Sequence, residues 1–199
     1  MDPVVIVHGY LAPKWFMLPL RERLRTMGYD AHLVDLSPLA MRDVRVLARQ
    51  LAGNVDRIRG ATGAEKVTLL GMSLGGFVAL QYVQDGGAPF VRRIVTLGAP
   101  FHGTWFALLG VPLFGAWSAP VWQSMPNSDF LAGLRAGGCP VPLTTVSIPG
   151  DVVAPPERCR VDGADNVVLE PTWYPAAHQW LGLSRTVAER VSEVLSAPV

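Results

Sequence analysis

The sequence predicts a parallel α/β sheet covered by helices on both faces, and three observations carry that reading. Short apolar runs alternate along the chain with longer stretches whose apolar residues recur at helical spacing. Runs of this kind belong to strands buried on both sides, which parallel sheets need and antiparallel meanders do not. Half of the 199 residues are apolar, which suits one domain with a sizeable core.

The elements follow in order. Residues 4–7 form a first β-branched strand. Residues 15–27 read as a helix, with Phe16, Leu20, Leu24 and Met27 at helical spacing and Gly28 as a stop. Residues 31–36 form a second strand. Val44, Leu47, Ala48, Leu51, Val55 and Ile58 mark the apolar stripe of a second helix, with Arg42, Arg45, Arg49 and Arg57 among its polar positions. Residues 67–70 form a third strand, followed by a helix marked by Phe77, Val78, Leu80 and Val83. Residues 91–97, 143–148 and 166–169 are the fourth to sixth strands, and Val187, Val191, Val194 and Leu195 mark a closing helix. No linker, repeat or low-complexity tract interrupts the pattern.

Composition excludes some classes. Net charge is +1, from 17 basic and 16 acidic residues, and no basic patch suggests nucleic acid. The opening MDPVVIVHGY carries no basic n-region. No signal peptide is expected, which fits a cytoplasmic protein or a mature secreted form. Cys139 and Cys159 fit two buried thiols or, in an oxidising compartment, a pair. No cluster of His, Cys, Asp or Glu has metal-ligand spacing, so neither metal nor cofactor is expected. Nothing points to an obligate protein partner.

Residues 101–128 contain no Asp, Glu, Lys or Arg. Length and neutrality fit a membrane span, but Pro112, Pro120, Gly110 and Gly115 break a continuous helix. The expectation is a short apolar cap over residues 105–122, within a single domain over residues 1–199. The alternative is a helix buried against the sheet.

Chemistry enters at Gly71-Met72-Ser73-Leu74-Gly75, a G-x-S-x-G pattern between a strand and a helix. It admits two readings: a glycine-rich turn whose serine caps a helix, or a strained elbow that lifts a serine hydroxyl clear of the sheet. Sites in such sheets form beyond the carboxyl ends of strands. Ser73 follows the third strand, Asp151 the fifth, and His178 lies along a loop after the sixth. The order Ser, Asp, His is that of an elbow hydrolase. A serine hydroxyl needs a base to take its proton, an imidazole serves near neutral pH, and a carboxylate orients the imidazole. The oxyanion needs backbone donors, and the N–H groups of Leu74 and Tyr10 are the candidates. His102 competes as base, though its position suits a pocket wall better. His8 suits a structural role in the loop after the first strand, and His32 is remote. Asp129, Asp162, Asp165 and Glu170 are alternative acids.

These motifs resemble an α/β-hydrolase of the small bacterial lipase type. VIVHGY is similar to that family's oxyanion loop, GMSLGG to its elbow and TLGAPFHGT to the segment after the next strand. SIPGDVVAPP resembles the acid loop and AAHQWL the histidine loop. The early start resembles minimal members that lack the first two strands. The resemblance implies a minimal α/β-hydrolase fold with about six parallel strands. It implies Ser73 as nucleophile, His178 as base, Asp151 as its partner, and Tyr10 and Leu74 as oxyanion donors. Met72, Ala99 and Phe101 depart from the residues common at their positions.

The expected function is hydrolysis of carboxylic esters with an apolar acyl group through an acyl-enzyme. Acyl transfer or thioester hydrolysis on the same triad is one alternative, and a catalytically silent binding module is another. Tyr10, Met72, His102, Leu109, Phe114 and Trp117 are the expected pocket residues. The expected partner is a small-molecule or lipid ester, with the cap's outer face meeting a lipid surface.

Overall fold

The computed structural model describes residues 2–36, 39–171 and 177–198. Six strands form one sheet: β1 (Val4–Val7), β2 (Ala31–Val34), β3 (Val67–Met72), β4 (Val91–Leu97), β5 (Leu143–Ser147) and β6 (Asp165–Val168). Their spatial order is β2-β1-β3-β4-β5-β6, and every pairing is parallel.

Helices α1 (Leu18–Thr26), α2 (Val44–Thr62), α3 (Leu74–Tyr82), α4 (Ala107–Phe114), α5 (Ala119–Gln123), α6 (Asp129–Ala136), α7 (Pro156–Cys159), α8 (Ala177–Leu183) and α9 (Arg185–Ser196) connect them. Strand alternation divides the core into two layers. Val5 and Val7 pack with α2, α3 and α6, while Val4 and Ile6 pack with α1, α8 and α9. Each fully buried Leu or Val contributes about 1.5–3 kcal/mol against leaving it in water, so the two layers carry the fold.

Local chemistry sets the helix ends. Asp43 caps α2 by accepting from Arg45 N at 2.7 Å, and Gly63, in the left-handed region at φ 71°, ends it. Ser128 and Ser184 cap α6 and α9 in the same way. Most of α3 is buried because it runs between α2 and the sheet at the centre of its layer.

β5 differs from the sequence expectation by one residue at one end and β6 by one residue at each, and three other boundaries differ more. β3 runs two residues further, to Met72. β2 stops at Val34, and the N–H of Leu36 bonds to His8 Nε2 at 3.0 Å instead of continuing the ladder. The first helix opens with a 3₁₀ turn, Lys14–Met17. Helices α6, α7 and α8 were not expected. Cys139 and Cys159 are unpaired thiols, and burial raises the pKa of both.

The neutral stretch forms two short helices, α4 and α5. No residue of α4 is buried, while α5 buries Pro120, Val121 and Gln123. Among the described residues no helix is long and apolar enough to cross a membrane.

Candidate active site

The turn between β3 and α3 holds Ser73 at φ 53°, ψ −122°. A non-glycine residue keeps such a conformation only where its surroundings over-determine it. Two glycines make that possible. A Cβ on Gly71 would lie 2.5 Å from Gly75 O, and one on Gly75 would run into Val7 O. The turn is pinned by Ser73 N donating to Leu97 O and Gly76 N to Ser73 O, both at 2.9 Å. Ser73 Oγ makes no side-chain cap bond to α3, so its hydroxyl is not spent on the helix.

Asp151 sits beyond β5, after Gly150 at φ 94°. Its carboxylate is fully buried, yet both oxygens are engaged. Oδ1 accepts from Val153 N at 2.8 Å and Ala154 N at 2.9 Å, and Oδ2 lies 2.7 Å from His178 Nδ1. Burying a charge is tolerable only when it is hydrogen-bonded in this manner. His178, on the first turn of α8, is thereby oriented and keeps Nε2 for a second partner. Ala176 of the histidine motif lies outside the described residues. Gly98 completes the packing, since a Cβ there would lie 3.3 Å from both Asp151 Oδ2 and His178 Cε1.

Ser73 and His178 line the same cleft, about 390 Å³ in volume. Among the described residues their side chains form no hydrogen bond with each other. Apo sites often tighten such contacts only when substrate is bound. Among the described residues, the N–H groups of Tyr10 and Leu74 donate to no protein acceptor, and both residues line the cleft. Gly9 lets the Tyr10 loop approach: a Cβ there would lie 3.1 Å from Ser73 Cβ.

The expected pocket residues divide. Tyr10, Leu109 and Phe114 line the cleft. Three do not, and the expectation for them is corrected. Met72 points to the opposite layer and packs with Met17 and Leu181, because strand alternation directs its side chain away from the elbow. His102 is exposed, and its backbone exchanges hydrogen bonds with Arg158. Trp117 is 75% exposed and lies outside the cleft. Phe77, Thr104 and Val121 line it instead. Phe77 had a readable signal, since it follows Ser73 by four positions and shares its helix face. Thr104 and Val121 had none.

The other histidines and acids lie elsewhere. His8 is buried, with Nδ1 donating to Gly9 O and Nε2 accepting from Leu36 N. Burial lowers its pKa, outweighing the opposing pull of the bond to Gly9 O and of Asp35. His32 pairs with Asp30 on the edge strand. Asp129, Asp162, Asp165 and Glu170 are all exposed. Among the described residues no three His, Cys, Asp or Glu side chains converge as a metal-ligand set.

A family model described as alpha/beta hydrolase fold matches residues 2–125. A triacylglycerol lipase of Pseudarthrobacter phenanthrenivorans is 30% identical over 112 residues, covering 53% of this chain and 35% of that protein. A triacylglycerol lipase of Burkholderia plantarii is also 30% identical over 112 residues, with 31% of its length covered. The chain thus spans about a third of the length of these curated relatives. Among solved structures, the mature form of Bacillus licheniformis lipase BlEst2 superposes with a TM-score of 0.83 at 21% identity, covering 98% of this chain and 92% of that one.

Proposed function

The chain belongs to the α/β-hydrolase fold family, and from that premise we propose that it is a serine esterase or lipase acting on carboxylic esters with an apolar acyl group. One observation carries the reading. A strained, uncapped serine and an imidazole held by a buried carboxylate share a single cleft.

The reaction follows from those groups. Ser73 Oγ attacks the ester carbonyl as His178 Nε2 takes its proton. Asp151 holds the Nδ1–H tautomer and stabilises the imidazolium. The N–H groups of Tyr10 and Leu74 receive the oxyanion. The intermediate collapses by breaking the carbonyl–alkoxy bond, and the proton on Nε2 leaves with the alcohol. Water then attacks the acyl-enzyme through the same base, releasing the acid and restoring Ser73.

The substrate class rests on the cleft wall, which is mostly apolar and includes Phe77, Phe106, Leu109, Phe114 and Val121. Residues 105–122 serve in this reading as a cap. Leu109 and Phe114 face the acyl chain, while Trp105, Leu113 and Trp117 are more than 60% exposed and suit contact with a lipid surface, since apolar patches of this kind mark binding faces.

The test uses a soluble nitrophenyl ester and a fluorophosphonate. The protein is expected to turn over the ester and to be labelled at Ser73 alone. Ser73→Ala is expected to abolish both while melting as the wild type does. Labelling at Ser118 or Ser124, or near-normal turnover in the alanine variant, would overturn the reading.

A further inference from the structure

We propose that the Tyr10 phenol is a positioning group, holding the backbone N–H of its own residue toward Ser73 through a hydrogen-bond chain that ends outside the cleft. The inference rests on the proposed ester chemistry, in which that N–H is an oxyanion donor.

Tyr10 Oη lies 2.8 Å from Ser118 Oγ, and Ser118 Oγ donates to Met41 O at 3.3 Å. A serine hydroxyl has one hydrogen to give. Since it goes to Met41, Tyr10 is the donor in the first bond. The direction of the chain is therefore Tyr10 to Ser118 to the Met41 carbonyl. Ser118 is only 1% exposed, so water does not compete for these bonds.

The loop needs such an anchor. Its own bonds are few: Leu11 N to Leu39 O at 2.9 Å and Ala12 N to Gly9 O at 3.4 Å. Leu11, Leu39 and Ala40 are all non-glycine residues in the left-handed region, at φ 53°, 49° and 55°. Residues hold that conformation when neighbouring contacts impose it. The far end of the chain is firm. Ser118 starts α5, and Gln123 at the end of α5 accepts from Val44 N at 3.0 Å, the first amide of α2. The orientation of the Tyr10 peptide is thus tied to a helix of the core layer by contacts from a segment 108 residues away. A phenylalanine would keep the ring's packing and lose only this tie.

Oxyanion donors work by being aimed before the reaction starts, and small misplacements cost rate rather than binding. Tyr10→Phe and Ser118→Ala are therefore expected each to lower kcat on a soluble short-chain ester about ten- to a hundredfold, with KM within about twofold. The double variant is expected to lose no more than either single one, because both remove the same chain. Ser118→Thr, which keeps an Oγ, is expected to recover most of the rate. A readout independent of turnover is hydrogen exchange at Leu11 N–H. It is expected to quicken about tenfold in Ser118→Ala while amides of β3 and α3 stay unchanged. Additive losses in the double variant, lowered stability with unchanged kcat, or unaltered exchange at Leu11 would overturn the proposal. A wild type that turns over no ester would sink the functional reading instead, and Leu11 exchange would still decide whether the anchor holds the loop.

Discussion

In the proposed reaction Asp151 would serve both stability and chemistry. Two backbone N–H groups satisfy Oδ1, so Oδ2 is free to hold His178 without leaving a buried charge half-solvated. Asp151→Asn separates the two jobs. The amide oxygen still accepts from Val153 and Ala154, so melting is expected to change little. The amide nitrogen now donates to Nδ1, which forces the imidazole proton onto Nε2, where a base must be empty. The rate is expected to fall by about three to four orders of magnitude, read as kcat beside a melting curve. His102→Ala is the comparison, expected to stay within about threefold of wild type because that side chain faces solvent. A dead His102 variant would mean that the base has been misassigned.

At the scale of elements, α4 is the anomaly. Eight residues make a helix too short to be stable alone in water, it contains Pro112, and it buries nothing in the core. It is held from its flanks, where Phe106 N bonds Thr104 Oγ1 and Trp122 Nε1 bonds Gly115 O. Charged substitutions therefore test surface and cleft roles without unfolding the protein. Leu109→Asp and Phe114→Asp are expected to damage hydrolysis of long-chain emulsified esters far more than that of short soluble ones, because both residues line the cleft. Trp117→Asp, outside the cleft, is expected to weaken binding to phospholipid vesicles while leaving kcat/KM on short esters unchanged. Stability is expected to move by no more than about 0.5 kcal/mol in each variant. A uniform loss on all substrates together with a lowered melting temperature would reject the cap.

The whole molecule places its chemistry by topology. Parallel strands leave all their carboxyl ends on one edge, so the loops after β1, β3 and β5 meet there although 141 positions separate Tyr10 from Asp151. His8 joins two of those ends, bonding the loop after β1 to Leu36 beyond β2. This gives stability a pH dependence. Burial lowers the folded pKa of His8 below the ordinary 6.5, so the unfolded chain binds the proton more readily. The contribution is complete above about pH 6.5 and is lost as pH falls toward the folded value. In His8→Gln, whose side-chain oxygen can still accept from Leu36 N, the urea midpoint is expected to decline less between about pH 7.5 and 5.5 than in the wild type. Parallel curves for the two proteins would refute the linkage.

Much of this architecture was legible from local pattern. β-branched runs marked strands because a doubly covered sheet leaves them no polar face, and Ser73, Asp151 and His178 stood out because each follows a strand-end signal in a fixed chain order. What remained unread depends on contacts between distant segments. Periodicity could not tell that Met72 faces the opposite layer, since that depends on how far β3 extends. It could not choose between a cap and a buried helix for an uncharged stretch, because both are apolar; in the structure α4 buries no residue while α5 buries Pro120, Val121 and Gln123. The bond from Tyr10 to Ser118 leaves no trace in either residue's neighbourhood. Short-range propensity determined the strands, most of the helices and the order of the strand-end residues; the tertiary structure alone decided which side chains share the cleft, because that depends on the direction each side chain takes once the sheet has closed.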